Sequence, residues 1–137
     1  MSSTADVGTE IPPWKMESVD PQRMKTMAAI LRDPYPIHWD HKSLESLPTE
    51  RVVNQGPLNL SYIANMFMAW QGPASIRRLK VNFTGWVLEG DKVIATGTVT
   101  SIDDVGDERH ATCDIRLARG DKNVVVGTAV VALSPES

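Results

Sequence analysis

The sequence predicts an α+β protein in which a long central apolar helix is wrapped by a curved antiparallel β-sheet. Two observations indicate this fold. Residues 52–76 contain no charged side chain, and a helix-forming apolar segment lies in their middle. The chain that follows holds four segments with strand-like alternation or a high content of Val, Ile and Thr. Short turns separate these segments, which is typical of neighbouring antiparallel strands.

The length of 137 residues predicts a single domain, since domains commonly contain about 100–150 residues. Residues 1–13 are small, polar and proline-bearing, so we expect a flexible N-terminal tail followed by one domain over residues 14–137. The formal net charge of −3 favours partners other than nucleic acid, because phosphate contacts need clustered Lys and Arg.

The N-terminus shows no basic region followed by an apolar run, so no secretory signal is expected. The uncharged stretch over residues 52–76 is interrupted by Asn, Gln, Gly and Pro. A membrane span needs about 20 mainly apolar residues, so this stretch predicts a buried helix and its flanks instead. We therefore expect a cytoplasmic protein with no membrane partner.

A first helix is predicted to begin at Asp20 and Pro21, because Asp is a good N-cap and Pro suits the first helical position. Four apolar residues then follow at helical spacing: Met24, Met27, Ala28 and Leu31. The helix should end by Asp33, because Pro34 lacks a backbone donor and restricts the residue before it. Residues 14–18, which precede this helix, fit either a short strand or an extended arm.

The central helix is predicted over residues 57–70, between Pro57 at its first position and Gly72-Pro73 after its end. Apolar side chains cover most of its circumference, so it should be enclosed on nearly all sides. Four strands should follow, at residues 78–84, 93–102, 111–117 and 123–133. Cys113, the only cysteine, excludes an internal disulfide and is predicted to be a small core residue.

Asp33 and His38 are candidates for proton transfer because two prolines, Pro34 and Pro36, stiffen the segment between them. A rigid link can hold an acid and an imidazole in a fixed relation, as general acid–base chemistry requires. On spacing alone, a helix-capping Asp and a surface His are the favoured interpretation. No metal site is predicted, because His38 and His41 lack the accompanying ligand spacing of known zinc motifs.

Residues 33–38 (DPYPIH) resemble the D-x-N-P-[aliphatic]-H signature of MaoC-like, (R)-specific enoyl-CoA hydratases. In that family the signature precedes the central helix of a hot-dog fold. Residues 51–70 (RVVNQGPLNLSYIANMFMAW) and 76–102 (IRRLKVNFTGWVLEGDKVIATGTVTSI) resemble the family's central helix and the strands after it. The resemblance covers about residues 20–133 and makes the Asp33–His38 pair the favoured catalytic hypothesis.

The chain departs from the family pattern at three places. Tyr35 replaces an Asn, Arg32 replaces a Gly, and residues 54–56 (NQG) stand where the family tends to have His-Gly. These departures resemble those in the small subunits of heteromeric hydratases that act on bulky acyl chains, such as steroid side-chain CoA esters.

The resemblance implies reversible addition of water to a trans-2-enoyl-CoA, giving a (3R)-hydroxyacyl-CoA. Asp33 and His38 would hold and activate one water. The backbone N–H of Gly56, at the start of the central helix, is the candidate donor to the enolate oxygen. Asn54 is a candidate for positioning the water or the thioester, and a turn-stabilising role fits it equally well. No metal or redox cofactor is implied, and CoA is part of the substrate.

We expect a homodimer or a hetero-oligomer with another hot-dog chain, because a single sheet leaves an open edge. Two other functions are possible for such a fold. An acyl-CoA thioesterase is disfavoured because residues 57–70 lack Asp and Glu, and a non-catalytic acyl-binding subunit would not need the Asp–His pair. Five further side chains are assigned mainly to structure, as solvated strand faces or core, with CoA phosphate binding as the alternative for the arginines: Arg77, Arg78, Arg116, Tyr62 and Trp70.

Overall fold

The computed structural model describes residues 5–32, 35–46, 49 and 51–135. Within this part of the chain, five strands form one antiparallel sheet: β1 (Glu10–Met16), β2 (Ile76–Phe83), β3 (Val93–Val105), β4 (Glu108–Arg119) and β5 (Lys122–Ala132). Two α-helices accompany them, α1 (Pro21–Leu31) and α2 (Gly56–Gln71). Short 3₁₀ helices cover Pro36–His38 and His41–Ser46. The predicted α+β class with an antiparallel sheet is confirmed.

The strands lie in the order β1-β3-β4-β5-β2. Tight turns join β3 to β4 and β4 to β5, and each contains a glycine with positive φ, Gly106 at 60° and Gly120 at 62°. Glycine reaches this conformation without the steric cost that a Cβ would add. The sheet is therefore a meander of three central strands, with β1 and β2 at its two edges.

Helix α2 packs one side against the sheet and has contacts with all five strands. Its buried residues are Leu58, Asn59, Tyr62, Ile63, Met66 and Phe67. The opposite side is less covered, since Pro57, Met68 and Ala69 are exposed. The expectation of a helix enclosed on nearly all sides is therefore not met within the described residues. One curved sheet can cover only one side of a helix.

The N-terminal segment is more ordered than the predicted tail over residues 1–13. Residues 1–4 lie outside the described part, but Ala5 and Ile11 are buried, and β1 begins at Glu10 and pairs with β3. The register of this pairing shifts between Ile11 and Trp14, where Pro12 and Pro13 lie. Prolines are tolerated at such a bulge on an edge strand because no ladder hydrogen bond is lost there. The described structure therefore begins before residue 14, inside the segment that was expected to be a flexible tail.

Helix α1 begins as predicted. The Asp20 carboxylate accepts a hydrogen bond from Gln22 N at 2.9 Å, and Pro21 occupies the first turn. The helix ends at Leu31, and its C-cap Arg32 has a φ of 53°, in the left-handed region. No helix in the described part of the chain is long and apolar enough to cross a membrane.

Candidate active site

His38 is fixed by a hydrogen bond to the main chain. It ends the 3₁₀ helix Pro36–His38, and its Nδ1 lies 2.6 Å from the carbonyl oxygen of Val53. A carbonyl can only accept, so Nδ1 carries the proton. In the neutral ring this tautomer leaves the lone pair on Nε2, which is then free to accept a proton. The ring also meets Tyr35 edge-on, with centroids 5.9 Å apart.

Val53 belongs to a short segment that leads into α2. Val53 N donates to Ile37 O at 2.8 Å, and Val53 forms a β-bridge with Leu88. Asn54 N donates to Val87 O at 2.7 Å. The imidazole is thus attached to the chain immediately before Asn54 and Gly56. Three of the four residues predicted for the site, His38, Asn54 and Gly56, therefore belong to one continuous structural unit.

Asp33 lies outside the described residues, and the same is true of Pro34. The structure describes the chain on both sides of them, up to Arg32 at the end of α1 and from Tyr35 onward. The pairing of Asp33 with His38 stays a prediction from the sequence.

Gly56, the residue predicted to bind the thioester, is the first residue of α2, one position before the predicted helix start at Pro57. Pro57 has no N–H, and the N-cap Gln55 makes no side-chain capping bond. The backbone N–H of Gly56 has no acceptor among the described residues. A free N–H at the positive end of the helix dipole is suited to an anionic oxygen. The exposed ring of Phe83 lies against Gly56, and its Cζ would be 3.2 Å from an added Cβ.

Asn54 is buried and makes polar contacts with two residues of α2. Its Nδ2 donates to Asn59 Oδ1 at 2.7 Å and to Tyr62 Oη at 3.2 Å. Its Oδ1 is buried and has no hydrogen-bond partner among the described residues. Burial raises the pKa of Tyr62, and the hydrogen bond from Asn54 only partly offsets that effect. The Tyr62 hydroxyl therefore stays protonated and neutral.

Asn59 and the hydroxyl of Tyr62 are polar residues of the site region that the sequence did not single out. Tyr62 is buried, as predicted for a core residue, but it is also a hydrogen-bond partner of Asn54. The available signal was an Asn and a Tyr three positions apart on a helix without charged residues, since that spacing places both on one face.

The sequence also did not predict a role for the side chain of Gln55. Its side chain is 1% exposed, and its Nε2 donates to Met24 O at 2.7 Å. This bond joins α1 to the start of α2, since Met24 is the buried residue of α1. Gln55 therefore contributes to fixing the helix N-terminus at which Gly56 lies.

The remaining histidines are engaged elsewhere. His41 is paired with Glu89, which also accepts a hydrogen bond from Val52 N at 3.1 Å. His110 Nε2 lies 2.9 Å from Glu108. The described residues contain no group of three or more His, Cys, Asp or Glu side chains that could hold a metal ion.

The arginines considered for phosphate binding lie on the sheet. Arg77 pairs with Glu108 at 2.7 Å, and Arg116 donates to Thr96 Oγ1 at 3.1 Å. Arg78 is exposed on β2. For Arg77 and Arg116 the structure gives partners of the kind expected on solvated strand faces.

The architecture is that of the hot-dog fold, with a helix held against a curved antiparallel sheet. The sequence profile of the MaoC-like domain matches residues 3–119. The chain therefore belongs to the MaoC-like domain family. Membership in this family supports a hydratase or dehydratase activity.

Several solved structures, two of them (R)-hydratases, are similar over nearly the whole chain. The (R)-hydratase from A. caviae involved in PHA biosynthesis has 26% identity and a TM-score of 0.83, over 97% of this chain and 100% of that one. The R-hydratase PhaJ1 from Pseudomonas aeruginosa has 21% identity and a TM-score of 0.81, over 95% and 83%. The ChsH1–ChsH2 complex from Mycobacterium tuberculosis has 18% identity and a TM-score of 0.81, over 96% and 100%. A search of curated protein sequences finds no significant match.

Proposed function

We propose that this chain is a hydratase that adds water reversibly to a trans-2-enoyl-CoA and forms a (3R)-hydroxyacyl-CoA. One observation carries the proposal: His38 is held in a single tautomer beside the segment that opens α2, in a chain of the MaoC-like family. This arrangement supplies a base and a helix N-terminus within one structural unit, as the reaction requires.

In the proposed reaction, His38 Nε2 takes a proton from the attacking water. The Val53 carbonyl keeps the opposite nitrogen protonated and stabilises the imidazolium that forms. Asp33 is proposed to hold the same water and to take part in protonating C2. Positioned acid–base groups of this kind typically accelerate a reaction by about 10²–10⁴-fold.

Negative charge develops on the thioester oxygen as water adds to C3. The Gly56 N–H is the proposed donor to this oxygen, and its missing side chain allows the thioester to approach the backbone. Asn54, whose amide oxygen has no hydrogen-bond partner among the described residues, is proposed to position the water or the thioester. Removing one oxyanion donor typically costs about 10²–10³ in rate. The chemistry requires no metal or redox cofactor.

The chain is proposed to act in the cytoplasm as a dimer or as one subunit of a hetero-oligomer with another hot-dog chain. The incompletely covered face of α2 and the edge position of β2 support this assembly. The similar ChsH1–ChsH2 structure is itself a complex. The sequence departures noted above support a bulky, steroid-like acyl group as the alternative substrate.

The thioesterase alternative requires a carboxylate nucleophile or base, which many hot-dog thioesterases carry on the central helix. Helix α2 (Gly56–Gln71) contains no Asp or Glu. Hydration is therefore the better-supported reaction.

The test compares a trans-2-enoyl-CoA with its saturated counterpart. We expect loss of the enoyl absorbance without release of free thiol, and no reaction of the saturated ester. Thiol release from both esters would instead indicate a thioesterase. Binding of both esters without turnover, for the chain alone and with a partner hot-dog chain, would indicate a non-catalytic acyl-binding subunit.

A further inference from the structure

Asp91 is a nearly buried carboxylate with three hydrogen-bond donors. Its side chain is 8% exposed. Arg51 donates to Oδ1 at 2.7 Å, Arg119 donates to Oδ2 at 3.1 Å, and Leu88 N donates to Oδ2 at 2.8 Å. These donors come from three separate places: the segment before α2, the end of β4 and the turn before β3. Asp91 therefore connects three parts of the fold through one side chain.

Two of these parts form a short antiparallel ladder. Glu89 N donates to Val52 O at 2.9 Å, and Asn54 N donates to Val87 O at 2.7 Å. Val53 and Leu88 pair between these bonds. Arg51 lies at one end of the ladder on one strand, and the bond from Asp91 to Leu88 N lies on the other. The carboxylate thus ties the two strands of the ladder together at that end.

The same ladder holds the histidine. Val53 lies in the middle of the ladder. Its carbonyl oxygen accepts a hydrogen bond from His38 Nδ1, and its N–H donates to Ile37 O. A change in the register or twist of the ladder would move this carbonyl relative to the imidazole. The path from Asp91 to His38 is short and consists of named contacts: Asp91 to Leu88, Leu88 to Val53, and Val53 to His38.

We propose that Asp91 is a positioning residue for the reaction: with Arg51 and Arg119 it fixes the ladder that aligns the Val53 carbonyl with His38. The proposal rests on the proposed function of His38, since it assigns Asp91 no contact with substrate.

The charge of Asp91 suits this role. Burial alone would raise its pKa, but the hydrogen bonds from Leu88 N, Arg119 and Arg51 outweigh that effect and lower the pKa. The carboxylate is therefore ionised at neutral pH, where it can accept from all three donors. An amide of the same shape has one acceptor oxygen, and its NH₂ group would face a donor, so Asp91→Asn cannot keep the three contacts.

The experiment compares Asp91→Asn and Arg119→Gln with Glu108→Gln, which breaks the exposed Arg77–Glu108 pair and serves as the control. The state of the His38 ring is followed by ¹⁵N NMR, and kcat, KM and their pH profile are measured with an enoyl-CoA. We expect Asp91→Asn to lower kcat about tenfold to a hundredfold with little change in KM, since small misplacements of catalytic groups have effects of this size. The His38 Nδ1–H signal and the pH profile should shift as well.

Arg119→Gln should give a smaller change in the same direction. It replaces Asp91→Asn as the test variant if Asp91→Asn does not fold. Glu108→Gln should leave all readouts unchanged. A folded Asp91→Asn protein with the wild-type His38 signal, kcat and pH profile would overturn the proposal. The NMR readout needs no turnover, so it tests the role of Asp91 even if His38→Ala keeps full activity and the proposed function fails.

Discussion

Asp91 and Glu108 are both carboxylates with two side-chain partners, but they differ in burial and in their contacts with the main chain. Glu108 is 45% exposed and contacts Arg77 and His110, and these contacts lower its pKa to about 2. Asp91 is 8% exposed and contacts two arginines and a backbone N–H. Exposed ion pairs contribute little to stability because water screens them. A buried carboxylate that also binds the main chain determines where that main chain lies.

The two ends of the sheet differ in the same way: surface ion pairs lie at one end, and side chains that bind the main chain lie at the other. At the β3–β4 hairpin, regular backbone pairing continues to Val105 and Glu108, and the charged side chains are additions to its surface. At the end where α2 begins, an isolated bridge and side-chain-to-backbone bonds hold the chain. The second kind of structure depends on individual side chains, so single substitutions there should have the larger effects.

The largest effect is expected for a histidine substitution at the end of the sheet where α2 begins. A histidine substitution at the opposite end is the comparison. His38→Ala should lower kcat/KM for an enoyl-CoA by about 10²–10⁴-fold, because it removes the proposed base. His110→Ala, next to the hairpin turn, should leave kcat/KM near the wild-type value. Steady-state kinetics with matched unfolding curves would check both. Equal losses in the two variants would remove the functional distinction between the ends.

A second comparison uses two glycines. Gly56→Ala should lower activity about tenfold to a hundredfold, because a methyl group would lie where the thioester is proposed to approach, at an oxyanion donor. The fold should persist, since the contact is with the exposed and movable ring of Phe83. Gly106→Ala at the hairpin should cost about 1 kcal/mol of stability through its positive φ and leave activity intact. The reverse pattern would count against Gly56 as an oxyanion donor.

The third comparison concerns the loss of stability at acidic pH. The pKa of Asp91 is lowered in the folded protein, so its contribution to stability is present above the ordinary Asp pKa of about 3.9 and is lost as the pH falls below that value. At neutral pH, Asp91→Asn should lower the free energy of unfolding by about 1.5–3 kcal/mol, the range for hydrogen bonds to charged groups. The difference from wild type should shrink in acid. Denaturant unfolding of both proteins at several pH values would show it.

The smallest effect is expected for chemical labelling of the cysteine in the middle of the sheet. Cys113 is buried in β4, and burial raises the pKa of its thiol to about 12. We expect thiol reagents at pH 8 to label it only after unfolding, because the thiolate is the reactive species. Rapid labelling of the folded chain would mean that the centre of the sheet opens as readily as its ends.

Local patterns in the sequence predicted most of the fold. The position of α2, the strands after it and the Asp20 cap follow from periodicity and capping chemistry, which act over a few residues. The start of β1 was missed because Pro12 and Pro13 resemble a strand breaker, and only the bulge on an edge strand makes them acceptable.

The sequence singled out candidate site residues only where a motif resembled the family signature. His38 and Gly56 were predicted in this way, and their catalytic roles stay predictions. Asp91 lies in a turn between two of the predicted strands, and nothing in the sequence indicated its three hydrogen bonds. Its partners Arg51 and Arg119 are distant in sequence, and nothing in a single sequence pairs them. The buried polar contacts of Asn54 and Gln55 were missed for the same reason.

The most direct test of the account is a double-mutant cycle on Asp33 and His38, measured as kcat/KM for hydration of a trans-2-enoyl-CoA. If both residues act on one water, each single variant, Asp33→Asn and His38→Ala, should lose orders of magnitude, and the double variant should be no slower than the slower single variant. Losses that multiply, or near-normal turnover in either single variant, would contradict a catalytic pair at this site.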